Sequence, residues 1–282
     1  MANEIRHGTE ADVAIPIVWR ATAYQSRYAS QKVVPRVLNV TQDIAKRGDT
    51  VNLSFFPTAS VNTVGSGGSV TNQALTLTQV QIVVDQWNEI TVDVEDMSDL
   101  QSGVDLMEGF SKMIGLKQGE DIDTYLLALH ASFTPTAIGD TASPTPLDDD
   151  MVLSAVVTLD DAKEPDEDRT WFFSPIAKAN LLKLDKFTTA EKTGLTKGLQ
   201  INGAFGELYG SAVITTPLVA TSGNVRKNLY IHKEGLGVAI QRNLNIEKLA
   251  RTKKSQPLSG DWLYGAKAVR TATGGVVINS AK

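Results

Sequence analysis

Gly65, Gly67 and Gly68 form the stretch best suited to ligand chemistry, because closely spaced glycines expose backbone N–H groups that can cradle a phosphate. A dinucleotide-binding turn needs a third glycine in G-x-G-x-x-G, and this sequence has Val70 there. A Walker loop needs a lysine after its glycines, but no lysine lies between residues 48 and 111. A strand pattern follows, so no helix N-terminus is offered to an anion. The stretch is therefore predicted to be the flexible tip of a hairpin.

The other residue types that could do chemistry are scattered. His7, His130 and His232 form neither an H-E-x-x-H motif nor an i, i+4 pair, and the chain has no cysteine for a thiolate ligand or nucleophile. The acidic runs at 148–150 and 164–169 could bind a divalent cation, but they lack the spacing of a calcium loop. A nucleotide- or metal-dependent enzyme using these loops stays open as an alternative. We predict no catalytic residue, no cofactor and no metal site, and hence a protein that is not an enzyme.

Length and composition indicate a soluble globular protein. The chain has 282 residues, 42% of them hydrophobic and 21% charged, which suits one large domain or two intertwined lobes. Its net charge of −5 argues against a dedicated nucleic-acid binder, which would carry a basic surplus. We find no secretory signal and no run of about 18 apolar residues, so we expect a soluble protein made in the cytoplasm.

The charges are unevenly distributed along the chain. Residues 20–47 carry six basic side chains against one acid, and residues 93–123 carry nine acids against two lysines. A basic arm and an acidic segment predict ion pairing within one subunit or between subunits, although two solvated faces would give the same pattern. The basic arm comprises Arg20, Arg27, Lys32, Arg36, Lys46 and Arg47. The acidic segment includes Asp96, Asp99, Asp105 and Glu108, at the start of a predicted helix.

Hydrophobic periodicity predicts a hairpin followed by a long helix. Residues 51–55 alternate between apolar and polar, and a second alternating run covers 80–84, so two strands flank the glycine tip. Apolar residues then recur at helical spacing in a pattern that starts at Asp96. Glycines inside a helix destabilise it, so Gly115 and Gly119 predict a bend or break there.

The second half of the chain predicts a mixture of helices and strands. Helices are expected at 150–163, with Asp148 to Asp150 as candidate N-caps, and from Pro175 onward, and "RTWFFS" at 169–174 is predicted to be a buried strand. The final stretch "YGAKAVRTATGGVVI" predicts a closing hairpin with its turn at 274–275. Such a mixture belongs to the α+β class.

The order of these elements carries a family resemblance. About a third of the chain forms an arm, a hairpin and a long helix, which need partners to pack against. In this order the chain resembles the major capsid proteins of tailed bacteriophages, which have the Hong Kong 97-type fold. The matching stretches are "VAIPIVWRATAYQSRYASQKVVPRVLNV", "GDTVNLSFFP…GSGGSV…LTLTQVQIVVDQW", the helix from Asp96, "DRTWFFSPIAKANLLKL", "GELYGSAVITTPL", "NLYIHKEGLGVAIQRNLNIE" and "YGAKAVRTATGGVVI".

The resemblance implies an N-terminal arm, an extended β-hairpin loop, a peripheral domain with a long spine helix, and an axial domain. The implied bounds are 1–48 for the arm, 49–90 for the extended loop, 91–133 and 229–263 for the peripheral domain, and 134–228 and 264–282 for the axial domain. The glycine tip would lie on a neighbouring subunit. The loop "ARTKKS", with Arg251, Lys253 and Lys254, would lie near a threefold contact between capsomers.

The resemblance also implies a structural function in the virion. The protein would assemble with itself into hexamers and pentamers of an icosahedral phage head around double-stranded DNA, after synthesis in the host bacterial cytoplasm. The acidic helix would then line the interior and repel packaged DNA. Further expected partners are a separate scaffolding protein, a portal, a decoration protein in some capsids and non-specifically held DNA, but no membrane.

Two points qualify that expectation. Some members of the family join their extended loop to a neighbour through a lysine isopeptide bond, and residues 49–90 contain no lysine. The shell would therefore hold together by non-covalent contacts or decoration proteins. The shell of an encapsulin-like bacterial nanocompartment, with enzyme cargo in place of DNA, is the alternative with the same fold.

Overall fold

The computed structural model describes residues 31–44, 49–57, 59–69, 72–95, 106–184, 206–251 and 254–282. Its strands are β1 Leu38–Asn39, β2 Thr50–Phe55, β3 Thr78–Val83, β4 Gln86–Glu95, β5 Arg169–Phe173, β6 Glu207–Leu208, β7 Ser211–Thr215, β8 Thr221–Ser222, β9 Val225–His232, β10 Leu236–Lys248, β11 Ser255–Ala268 and β12 Gly275–Ala281. Its longer helices are α1 Leu106–Ala128, α2 Asp149–Asp161 and α3 Pro175–Leu181. Short helical turns lie at Val34–Arg36, Thr41–Ile44, Leu129–Ser132 and Lys233–Gly235.

The strands form two sheets and a separate hairpin, which confirms the predicted α+β class. The four-stranded sheet has the order β1–β10–β11–β4. The six-stranded sheet has the order β12–β9–β5–β7–β6, with β8 paired to β9. β2 and β3 form the hairpin, as predicted. The chain passes directly from a strand of one sheet to a strand of the other at two short crossovers, residues 233–235 and residues 269–274, and by a longer path from β4 through α1 and α2 to β5.

Helix α1 packs across one face of the four-stranded sheet. The helical spacing of its apolar residues places Ile114, Ile122 and Leu126 on one buried stripe. Ile114 lies directly over Gly260 of β11, where a Cβ atom would come within 2.5 Å of Ile114 Cγ2. Alternation along β11 turns Tyr264 to the same face, and its ring meets Tyr125 of α1 edge-on at 5.6 Å. This interface forms the largest core of the described chain.

The six-stranded sheet is built around β5, whose five residues are all buried, as predicted. Trp171 of β5 stacks on Tyr230 of β9 with ring centroids 3.6 Å apart, and its Nε1 donates a hydrogen bond to the Leu208 carbonyl oxygen at 3.0 Å. α2 covers this core. The helix begins where predicted because the Asp148 carboxylate accepts a hydrogen bond from the Met151 N–H at 2.9 Å.

The predicted break in α1 and the predicted closing hairpin are both wrong. α1 continues without a break through Gly115 and Gly119, because both glycines are buried and tertiary packing supplies the stability that they lack as helix formers. The predicted closing hairpin does not form, because β11 and β12 lie in different sheets. β12 pairs instead with β9, antiparallel along its whole length. The residues predicted to form the hairpin turn, 274–275, instead end the second crossover and begin β12.

The hairpin crosses the four-stranded sheet at two glycines. The fully buried Ile82 of β3 fills the space above Gly237 of β10, where a Cβ atom would lie 2.6 Å from Ile82 Cδ1. On β11, a Cβ atom on Gly265 would collide with the Val83 carbonyl oxygen and lie 2.8 Å from the Val84 Cα. These close approaches fix the start of the hairpin on the body of the protein. Its two six-residue strands, each about 20 Å long, lead from there to the tip.

We predict that Gly265→Ala destabilises the chain by about 1–3 kcal/mol, because the added methyl group collides with rigid backbone and not with a movable side chain. Urea unfolding of the purified protein measures the change. Gly109→Ala is the matched control, since Gly109 is exposed on α1 with nothing within 4 Å of its Cβ position. That control should gain up to about 1 kcal/mol in helix propensity. Equal stability of the two variants would contradict the prediction.

Candidate intersubunit surfaces

The far end of the hairpin stands away from the rest of the described chain. Between Phe55 and Thr78 the described residues form no strand, and nearly all of them are exposed. The Phe56 side chain is 89% exposed and that of Val61 is 97% exposed. The segment 56–77 contains no charged residue. Exposed apolar side chains in an uncharged segment are typical of a surface that becomes covered in an assembly.

The glycine stretch at the hairpin tip closes a turn. The Gly68 N–H donates a hydrogen bond to the Gly65 carbonyl oxygen at 2.9 Å, and Gly67 adopts a left-handed backbone with φ of 82°. That conformation favours glycine, whereas a Cβ atom on Gly65 would meet nothing within 4 Å. Nearer the strands, the Gln73 amide group donates to the Ser60 carbonyl oxygen and accepts from the Ser60 N–H. The tip is therefore a shaped turn carried on a bridged loop.

The basic arm meets the acidic helix through its backbone. Asp123, on the buried side of α1, accepts hydrogen bonds from the N–H groups of Lys32 at 2.7 Å and Val33 at 3.3 Å. The Lys32 ammonium group reaches instead to the Thr215 carbonyl oxygen at 3.1 Å. Arg36 lies exposed at the end of a helical turn. The other four residues of the arm lie outside the described residues: Arg20, Arg27, Lys46 and Arg47.

Burial of Asp123 raises the pKa of its carboxyl group, because desolvation disfavours the charged form more than the backbone hydrogen bonds to residues 32–34 favour it. A carboxylate with this balance binds its proton more tightly in the folded state than in the unfolded state. Asp123 therefore anchors the arm at some cost in stability whenever it is ionised.

The exposed side of α1 is not acidic in its described part. Glu108 pairs with Lys112 and Glu120 pairs with Lys117, each at 2.6 Å. Asp121 turns toward the sheet, where its Oδ2 accepts hydrogen bonds from three groups: Asn88 Nδ2, Trp262 Nε1 and Tyr264 Oη. The predicted DNA-repelling face therefore depends on Asp96, Asp99 and Asp105, which lie outside the described residues.

The loop with the predicted threefold contact lies at the end of the long β10–β11 hairpin. Arg251 and Lys254 are exposed there, and Lys253 lies outside the described residues. Arg251 Nε donates a hydrogen bond to Gln256 Oε1 at 3.0 Å. Lys254 borders a cleft of about 290 Å³ together with Asp93 and Glu95 of β4. The tip thus presents cations beside acids of the neighbouring strand.

Sequence reasoning missed a groove beside β4, the edge strand of the four-stranded sheet. The groove has a volume of about 620 Å³, and its apolar lining includes Trp87, Ile90 and Leu218. Trp87 is 70% exposed and is held in place by a hydrogen bond from its Nε1 to Asp261 Oδ2 at 3.3 Å. The sequence did contain a signal for this exposed position. In the alternating run 86–95, Trp87 has an odd number, as do the acids Glu89, Asp93 and Glu95, so its side chain points to the same exposed face as theirs.

His130 and His232 lie in different parts of the fold, and His7 lies outside the described residues. His130 Nδ1 lies 3.1 Å from the Leu127 carbonyl oxygen, and His232 ends β9 in the other sheet. Within the described ranges, no three His, Asp or Glu side chains are grouped closely enough to hold a metal ion. Among those same residues, no helix is long and apolar enough to cross a membrane.

Comparison with solved structures identifies the architecture. The chain matches a structure from Mycobacterium phage Che8 with a TM-score of 0.75 and 21% identity, over 88% of this chain and 90% of that one. It matches the capsid of cyanophage P-SCSP1u with a TM-score of 0.70 and 16% identity, over 88% and 87% of the two chains. The chain has the Hong Kong 97-type capsid fold. The resemblance inferred from the order of elements is confirmed at the level of the fold.

The capsid fold extends to particles of another source. A virus-like particle from Pyrococcus furiosus matches with a TM-score of 0.61 and 11% identity, over 96% of this chain and 100% of that one. No protein-family model and no curated protein matches the sequence. Identities of 11 to 21% show a shared fold, so the roles of individual surfaces rest on the geometry described above.

We predict that Asp123→Asn changes how stability depends on pH. With a raised folded-state pKa, the wild-type chain loses stability as pH rises from the ordinary aspartate range through that pKa, and the asparagine variant lacks this loss. The free energy of unfolding of the wild type, minus that of the variant, should therefore fall as pH rises above the ordinary aspartate range. Urea titrations at several pH values measure it. A difference that stays constant or rises with pH contradicts the assignment.

Proposed function

We propose that this protein is the major capsid protein of a tailed bacteriophage, forming hexamers and pentamers of an icosahedral head that encloses double-stranded DNA. The observation that carries the proposal is the uncharged, exposed end of the hairpin on a chain with a capsid fold. A two-stranded hairpin is marginally stable alone in water, so this one is expected to pack on a neighbouring copy. The role is structural and not catalytic, and the working location is the virion.

The two sheets support a division into domains. We propose that the four-stranded sheet with α1 is the peripheral domain, and that the six-stranded sheet with α2 and α3 is the axial domain. Residues 86–90, inside the expected bounds of the extended loop, pair with β11, so the loop itself is the β2–β3 hairpin and its tip. The two crossovers then form the domain boundary, because Tyr264–Ala268 still pairs with β10.

The contacts that hold the shell would be non-covalent, because the hairpin has no lysine for an isopeptide bond. We propose a separate scaffolding protein and a portal as assembly partners, with a decoration protein as an additional clamp. Packaged DNA would be held without sequence preference. The encapsulin-like shell is the second candidate. The match to the virus-like particle from Pyrococcus furiosus, over 96% of this chain, is the reason for keeping it as the alternative.

Electron microscopy of the purified full chain, alone and with a candidate scaffold, tests the proposed function. Closed shells, capsomers or tubular polymers are the expected products, since many weak contacts add up over a closed lattice. A protein that stays a monodisperse monomer in every condition would overturn the proposal. The contents of particles made in the native host decide between the two shells. Nuclease-protected DNA supports the phage head, and a co-purified enzyme supports the nanocompartment.

The tip glycines provide a sharper test of the hairpin contact. Gly67→Ala should reduce assembly at least several-fold, because its left-handed backbone shapes the turn that we place on a neighbour. Gly223→Ala is the matched control, since Gly223 also has a left-handed backbone, with φ of 58°, and an open Cβ position, but lies in the turn between β8 and β9. Sedimentation of assembled material measures the yield, and thermal unfolding checks that both subunits fold alike. Normal assembly of the Gly67 variant would remove the case for a shaped tip contact.

The loop "ARTKKS" leads to a prediction about how the stability of the shells depends on salt. Replacing Arg251, Lys253 and Lys254 together with alanine should make the shells dissociate at lower salt without unfolding the subunit, because charged contacts at the shell surface are screened by salt. Light scattering of preformed shells along a sodium chloride series measures this. Lys267→Ala, an exposed cation near the opposite end of β11, is the control. Unchanged shell stability in the triple variant would exclude an electrostatic role for the loop.

A further inference from the structure

Glu164 is a buried carboxylate where the two sheets meet. It follows α2, and its side chain is fully buried. Arg270 of the second crossover places Nη1 2.9 Å from Glu164 Oε1. Even so, neither carboxylate oxygen of Glu164 accepts a hydrogen bond from the described residues. Buried carboxylates are normally satisfied by several hydrogen bonds, so this one is held by charge without aligned donors.

Arg270 faces two carboxylates with one nitrogen. Its Nη1 donates an aligned hydrogen bond to Oε2 of Glu234, in the first crossover, at 3.3 Å. The same nitrogen lies closer to Glu164 but without hydrogen-bond alignment. Glu234 is half exposed and Glu164 is buried. One guanidinium group is therefore shared between a solvated acid and a buried acid, on two different segments.

The other cation beside Glu164 is already engaged. Arg169, the first residue of β5, pairs through Nη1 with Asp160 at 2.7 Å and through Nη2 with Asp166 at 2.9 Å. Its Nε donates to the Pro165 carbonyl oxygen at 2.7 Å. These bonds fix the backbone of the turn that carries Glu164, but they give the Glu164 carboxylate no hydrogen-bond donor.

His232 also lies beside the Glu164 carboxylate. Its Nδ1 lies 3.6 Å from Glu164 Oε1 and accepts a hydrogen bond from the Glu234 N–H at 3.3 Å. A ring nitrogen that accepts a hydrogen bond cannot donate one to the carboxylate at the same time. Arg270 is thus the cation that can complete the hydrogen bonding of Glu164 by a small rotation of its side chain.

These groups lie where the two crossovers touch. The His232 N–H donates to the Gly274 carbonyl oxygen at 3.0 Å, and the Val269 N–H donates to the Gly235 carbonyl oxygen at 2.9 Å. The first bond joins the end of β9 to the second crossover, and the second bond joins the two crossovers to each other. Both bonds lie beside Arg270 in the chain or in its turn. A movement of Arg270 between its two acids therefore acts on the joint between the sheets.

We propose that Glu164, Arg270 and Glu234 form a two-position clasp that sets the angle between the two sheets. With Arg270 on Glu164, the second crossover is tied to the turn between α2 and β5. With Arg270 on Glu234, the second crossover loses that tie, and only the first crossover stays bonded to the turn, through the Lys233 N–H and the Asp168 carbonyl oxygen at 3.2 Å. The use of this clasp rests on the proposed function, because two angles between the sheets let one sequence fit both hexamers and pentamers.

Hydrogen exchange of the unassembled subunit tests the clasp without assembly. The reporter is the His232 amide, which joins β9 to the second crossover, and the Trp171 amide serves as the reference for global unfolding. Glu164→Gln should make the reporter exchange roughly tenfold faster relative to the reference, because the buried tie is lost. Glu234→Gln should leave it unchanged or slow it, because Arg270 then stays on Glu164.

Two further variants keep the test decisive. Arg270→Gln, at a partly exposed position, must reproduce the effect of Glu164→Gln even if the latter folds poorly. Asp168→Asn removes a nearby exposed pair with Lys233 and should change nothing. The clasp is overturned if the Glu164 and Glu234 variants act alike, if the Arg270 variant leaves the reporter unchanged, or if the Asp168 variant matches them.

Electron microscopy then tests the link to assembly. If the wild type forms shells, Glu164→Gln should broaden the distribution of particle diameters, and Glu234→Gln should not. If the wild type forms none, the proposed function fails while the exchange experiment still decides on the clasp. A Glu164 variant with rapid exchange but uniform wild-type shells would show a clasp that assembly does not use, and would overturn that part of the proposal.

Discussion

The backbone contact between Gly235 and Gly274 is the constraint on which the two-sheet arrangement depends. A Cβ atom on Gly235 would collide with the Gly274 carbonyl oxygen, and one on Gly274 would lie 2.6 Å from the Gly235 Cα. Each crossover is the direct continuation of strands in both sheets. This close contact between the crossovers therefore brings four long strands together at one point, and any side chain there would force the two sheets apart.

Two other glycines allow the hairpin to pack closely on the four-stranded sheet. Gly237 and Gly265 let β3 lie directly on the four-stranded sheet, and the buried Ile82 side chain fills the space that this creates. The hairpin is thus anchored at one end by packing in its own subunit. Its other end has exposed apolar side chains and no described partner, so folding alone leaves that surface in water. Association is the step that can remove it, which links the architecture to assembly.

Much of the fold could be predicted from local patterns. Alternation gave both strands of the hairpin, the continuous apolar run at 169–173 gave β5, and Asp148 gave the start of α2. The wrong prediction of a closing hairpin has a physical cause. A Gly-Gly pair has the same local signature whether it turns a hairpin or lets two segments touch, so residues 274–275 were read as a turn. Only the pairing of β12 with β9 distinguishes the two.

The surfaces were harder to predict because a charged residue does not reveal its partner. Asp121 and Asp123 count as acids of a helix in the sequence, yet the fold uses one to bind the four-stranded sheet and the other to hold the arm. Trp87 looks like a core residue but lies exposed on an edge strand. Burial and hydrogen bonding depend on strands far away in sequence, which no local window contains.

The division of charge has a consequence for how copies of this chain can associate. The described acids of α1 are engaged by lysines, by the sheet or by the arm, and the hairpin end carries no charge. Long-range repulsion between neighbouring copies is therefore weak at the surfaces that would meet first. Apolar contact over an uncharged loop tolerates small changes of angle better than fixed ion pairs do, since it has no directional geometry to satisfy. A lattice that places one sequence in unequal environments needs that tolerance.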